Sequence, residues 1–165
     1  MYAVTVILII LGAATRFVVS RGWGIFVLPV PDSIATNGMS YVDQYIHRLL
    51  SSRSRYTSLS IFATDGHRGL GLDYELSDVS FEFTIKWREE PEQEQTIRRL
   101  FEELGISPSE DYMAGNGNSK NVIRILSYPV CGDAVLISKL CKRVLRHIYG
   151  ISDEEALNFT YKECK

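Results

Sequence analysis

Beyond residue 40 the apolar residues of this chain recur at helical or strand spacing in alternating segments. Val42, Tyr45, Ile46, Leu49 and Leu50 follow at i, i+3, i+4, i+7 and i+8, an amphipathic stripe with Ser40 and Asp43 at its start. A period of two then takes over in Leu59, Ile61 and Ala63, and again in Leu70, Leu72, Tyr74 and Leu76. It is cleanest in Val79, Phe81, Phe83, Ile85 and Trp87, which alternate with Ser80, Glu82, Thr84, Lys86 and Arg88. Turn chemistry at Asp65-Gly66 and at Ser77-Asp78 separates these runs, so the pattern predicts a three-strand antiparallel meander with one wet face. Pro91 starts a second helix behind Glu89, Glu90, Glu92 and Glu94, with Ile97, Leu100, Phe101 and Leu104 as its buried stripe and Gly105 as its stop.

The Ser-Pro-Ser-Glu stretch at 107–110 offers the start of one further helical turn, and Val122, Ile123, Ile125 and Leu126 predict a fourth strand ending at Pro129. Asp133 is placed to cap the last helix. Ile137, Leu140, Cys141, Val144, Leu145 and Ile148 share one of its faces, and Gly150 ends it. Ser152 and Glu155 have capping-box spacing and predict a short terminal element. Gly-Ile-Ser follows both long helices, at 105–107 and 150–152, as one helix-stop solution used twice.

Helix, three strands, helix, one or two strands and helix make an α+β fold, an antiparallel sheet packed by about three helices. This order is similar to that of the small chaperones of type III secretion and related α+β adaptor folds. The likeness lies in element order and transfers no residue roles. The expected layout is a hydrophobic segment at 1–20, a linker at 21–39 with Pro29, Pro31, Asn37 and Gly38, and a single domain at 40–165.

Residues 2–14 contain no charged side chain, and Arg16 and Arg21 are the only charges before Asp32. Alone the run is shorter than the ~20 residues a membrane helix needs. Extension past a snorkelling Arg16 to Val19 brings it close, with Trp23 at the interface. Arginines after the segment orient the body to the cytoplasm, so the preferred reading is a single-pass N-terminal anchor. A cleaved signal peptide lacks its basic n-region here. The third reading is a soluble cytoplasmic protein in which β-branched Val4, Thr5, Val6, Ile7, Ile9 and Ile10 form a core strand or helix.

Charge is nearly balanced, 18 basic against 20 acidic residues in 165, which gives no reason to expect nucleic acid. Three cysteines, without CxxC or zinc-ribbon spacing, favour a reducing compartment. No cofactor or metal is expected. Gly115-Asn116-Gly117-Asn118-Ser119-Lys120 lacks the order and following helix of a phosphate loop, and Cys131, Cys141 and His147 would need both faces of one helix as metal ligands. Asn158 opens a glycosylation sequon that matters only in a secretory lumen.

The catalytic candidates are Asp65 with His67 as an acid/base pair and Cys131, before the last helix, as a nucleophile needing His47, His67 or His147. Lys139, Lys142, Arg143 and Arg146 form a cationic stripe opposite the core face of the last helix, able to meet an acidic partner or an anionic inner leaflet. The sequence therefore favours a membrane-tethered, non-catalytic protein-binding or adaptor domain that meets a protein partner or self-associates. The alternatives are a small enzyme with a site assembled only in three dimensions and a soluble structural protein.

Overall fold

The computed structural model describes residues 17–18, 26–27, 33–86, 91–115 and 122–164. The chain divides into two compact units, Met1–Val30 and Pro31–Lys165. In the first, β1 (Phe17–Val18) pairs antiparallel with β2 (Phe26–Val27), Phe17 opposite Val27. Phe17 and Val18, which the membrane-helix reading places in its last turn, are thus extended. The apolar run at 2–14 lies outside the described residues. Among the described residues no helix is long and apolar enough to cross a membrane.

The second unit is α+β, as its pattern predicts. One antiparallel sheet of seven strands has the order β3-β9-β4-β5-β6-β8-β7. Its elements in chain order are β3 (Ser33–Ala35), a 3-10 turn (Gly38–Tyr41), α1 (Val42–Leu50), β4 (Tyr56–Ala63), β5 (Gly69–Glu75) and β6 (Asp78–Lys86). They continue with α2 (Pro91–Glu103), β7 (Glu110–Ala114), β8 (Ile123–Val130), α3 (Ala134–His147) and β9 (Leu157–Cys164). The three-strand meander sits at the centre, and the strands added on both sides widen it.

Alternation decides which face is buried. Leu59, Ile61, Leu72, Phe81, Phe83, Leu126, Tyr128 and Phe159 point to the helix side and are essentially fully buried. Ser58, Ser60, Asp73, Ser80, Glu82 and Thr84 occupy the opposite face. Phe101 of α2 stacks on Tyr128 at 4.0 Å and meets Phe83 edge-on at 5.7 Å, which seats α2 over β6 and β8. Tyr45 of α1 stacks on Phe159 at 4.2 Å, and Arg48 lies 4.0 Å over the Tyr161 ring, which seats α1 over β9. α3 packs beside α1, tied by Lys142 Nζ to Asp43 Oδ2 at 2.8 Å.

Several local expectations are corrected. Ser33–Ala35, inside the expected linker, is an edge strand on β9. Residues 107–110 lead into β7 rather than a helical turn. Ser40 does not cap α1, because its hydroxyl donates to the Asn37 carbonyl within the 3-10 turn. The Ser152–Glu155 turn leads into β9, whose alternating Leu157, Phe159 and Tyr161 complete the core; no strand is predicted there from the sequence.

Gly105 and Gly150 do take the left-handed conformation, with φ of 69° and 62°. Ile106 N–H donates back five residues to Phe101 O and Ile151 N–H six residues to Leu145 O, so both helices stop at a left-handed glycine but the second closing loop is one residue wider. Gly38 is required for a different reason. A Cβ there would run into Leu157, so only glycine lets the 3-10 turn lie against β9.

Candidate functional site

Strand directions set which loops can meet. β4 and β6 run one way and β5, β8 and β9 the other, so the loop after β4 and the residue after β8 lie at opposite ends of the sheet. Eight-residue strands put these ends about 25 Å apart. Asp65 and His67 are therefore at one end and Cys131 at the other, and the fold does not bring them together. His147 closes α3 while Cys131 precedes it, a helix of 14 residues, about 20 Å, between them.

Asp65 itself is not arranged as a general base. Partial burial works against its ionisation, but the backbone N–H groups of His67 (2.7 Å) and Arg68 (3.3 Å) and the Arg68 guanidinium (2.7 Å) outweigh that. They hold the carboxyl at about 2, far from the near-neutral value acid/base work needs. Arg68 also reaches Glu155 and the Tyr149 carbonyl, so Asp65, Arg68 and Glu155 clamp the β4–β5 loop to the segment leading into β9. This cluster is a brace. Among the described residues no group of His, Cys, Asp or Glu is placed to hold a metal ion.

The cationic stripe is largely consumed within the domain. Lys142 pairs with Asp43, Arg143 with Glu103 at 3.0 Å, and Arg146 with Asp153 at 2.7 Å. The Glu103 contact brings a cation to the C-terminus of α2, whose own last turn has none. Lys139 alone of the four has no ion-pair partner among the described residues.

The other end of the sheet carries a groove. It lies where the C-terminus of α2, the end of β8 and the N-terminus of α3 meet, and encloses about 650 Å³. Val130 and Leu140, nearly buried, form its floor, and Leu104, Ile106, Pro129 and Leu136 form apolar walls. Cys131, Lys139 and Arg143 complete the lining, so three of the sequence candidates converge here although the spacing alone joins only two. Leu104 and Leu136 are 42% and 51% exposed, and neighbouring Val135 is 56% exposed. Asp133 accepts from Leu136 N–H at 2.9 Å and fixes the first turn of α3, and with it the leucine.

Cys131 is exposed, whereas Cys141 is buried in the core, where loss of solvent pushes its thiol far up from the usual range. The strip at 116–120, with the phosphate-loop-like order, lies outside the described residues. A second, shallower and more polar depression is lined by Arg48, Ser51, Ser52, Arg53, Ser54, Tyr161 and Glu163; internal hydrogen bonds such as Ser52 to Thr57 at 2.7 Å hold it.

The groove leucines are the residues that sequence reasoning misplaces. The helical stripe assigns Leu104 to the core, and Leu136 attracts no notice because it lies off the stripe of α3. Leu76 is assigned to strand alternation, yet it forms the β5–β6 turn with Ser77, 69% exposed at φ 51°. Comparison with protein-family models, curated proteins and solved structures yields no match to this chain.

Proposed function

We propose that this protein is a non-catalytic binding or adaptor domain that docks an apolar polypeptide segment flanked by carboxylates, held near a membrane by its N-terminal segment. One observation carries the docking reading: an apolar groove whose walls are exposed leucines and whose rim presents Lys139, a cation with no ion-pair partner among the described residues. A leucine entering from water gains about 1.5–3 kcal/mol. Carboxylates beside it meet Lys139 and compete with Glu103 for Arg143, which favours acidic flanks over basic ones. The scattered Asp65, His67 and Cys131 give a catalytic reading nothing to build on.

The test is calorimetric titration of the full chain, at a concentration where it sediments as a monomer, with a synthetic peptide of two leucines flanked by glutamates, against the same peptide flanked by lysines. Saturable binding of the acidic peptide, weakened by Lys139→Glu, supports docking. Equal binding of both peptides, or of neither, removes it. The tether is inferred from the uncharged run at 2–14, by itself shorter than a full span, and from the arginines that follow it. Fractionation with and without residues 1–30 tests it: a folded, newly soluble truncation supports the anchor, and an unfolded one makes the segment part of the fold.

A further inference from the structure

Leu76 stands at the same end of the sheet as the groove. Val79 of β6 pairs with Val130 of β8, and Cys131 leads from there into the groove while Leu76 and Ser77 cap the hairpin on the other side. Both turn residues have positive φ, 51° and 81°, as a two-residue hairpin turn with matching twist requires. Such a turn is normally built from Asn, Asp or Gly. Here a leucine takes left-handed backbone with 69% of its surface exposed, so among the described residues it buries little to offset that strain. Glu75 before the turn and Asp78 after Ser77, paired across the hairpin, are exposed carboxylates without an ion-pair partner among the described residues. The tip is thus an apolar residue flanked by two acids.

That is the chemistry the groove is shaped to receive. Resting on the docking reading above, we infer that the occupant is a second copy of this chain: the Leu76 tip of one protomer enters the groove of the other, with Glu75 and Asp78 facing Lys139 and Arg143. Because tip and groove share one end of the domain, a two-fold axis through that end lets both protomers exchange tips at once. The interface is then closed and isologous, without open-ended growth. Charge complementarity fixes its register, and the two leucines supply its centre.

Sedimentation velocity of the full chain across the micromolar range tests this. Wild type is expected to pass from monomer to dimer with concentration. Leu76→Asn, which keeps a residue suited to the turn, is expected to raise the dimer dissociation constant at least tenfold with circular dichroism unchanged. Lys139→Glu alone and the pair Glu75→Lys with Asp78→Lys alone are each expected to weaken the dimer, and combining them to restore it. A monomer at every concentration, or a dimer indifferent to Leu76→Asn and to the charge exchange, overturns the inference. Titrating the monomeric Leu76→Asn variant with the glutamate-flanked peptide separates the two levels. Binding there with no wild-type dimer leaves the docking groove standing and removes only the second copy, whereas no binding removes both.

Discussion

The two ends of the sheet use the same parts, tight turns and helix termini, to opposite effect. At one end the loop after β4 is clamped through Asp65, Arg68 and Glu155 to the segment before β9. Gly38 N–H donates to the Glu155 carbonyl at 3.0 Å, and the left-handed positions belong to Asn37, Gly66 and Gly150, which accept that backbone readily. At the other end leucines line an open groove, and Lys139, Glu75 and Asp78 have no ion-pair partner among the described residues; left-handed backbone there falls on Gly105 but also on Leu76 and Ser77. The first end is arranged for the stability of the domain. The second exposes apolar and charged groups that the domain's own packing leaves open, and the proposed docking surface rests on these groups.

The sharpest way to break this contrast is at the braced end. Gly38→Ala is expected to destabilise by about 2 kcal/mol in chemical denaturation, because the added methyl collides with Leu157 and the turn must lift from β9. Arg68→Ala follows at about 1 kcal/mol. Arg68 and Asp65 are 38% and 40% exposed, so solvent screens the pair, but the loss also strips Glu155 of its partner. The same brace has an acid signature. Asp65 is depressed from 3.8 to about 2 in the fold, so its contribution is complete above pH 4 and fades as pH falls towards 2. Acid titration of Arg68→Ala should show a shallower loss over that window than wild type.

Substitutions at the open end should leave the fold intact or strengthen it. Leu76→Asn is expected to stabilise the folded protomer by up to about 1 kcal/mol, relieving left-handed leucine strain. A destabilisation of that size would mean Leu76 serves its own domain. Lys139→Ala should change stability by less than about 0.5 kcal/mol while weakening acidic-peptide binding. Alkylation mapped by mass spectrometry should label Cys131 in the native protein and spare Cys141 until unfolding, and the acidic peptide should slow labelling at Cys131.

The pattern of apolar residues made the central meander, all three helices and the glycine stops of α2 and α3 legible, because each rests on local periodicity or on a backbone requirement such as φ of 69° at Gly105. β9 is missed although Leu157, Phe159 and Tyr161 alternate, since a capping-box signal just before it points to a helix. β3, three residues long, is below any periodicity. The candidate site is legible only in pieces. Lys139 and Arg143 are related by helix spacing, and Cys131 by its place before α3. Leu104, Leu136 and Leu76 read as core or as nothing, because hydrophobicity alone does not tell a leucine turned inward from one held at the surface by a helix end or a turn.

The central claim, that the open end receives an apolar, acid-flanked segment, is tested most directly by titrating the full-length Leu76→Asn variant with the glutamate-flanked leucine peptide in a calorimeter. The account predicts saturable one-to-one binding that Lys139→Glu weakens at least tenfold, a loss of about 1.4 kcal/mol. A flat titration, or binding that ignores the sign of the peptide's flanks, would contradict it.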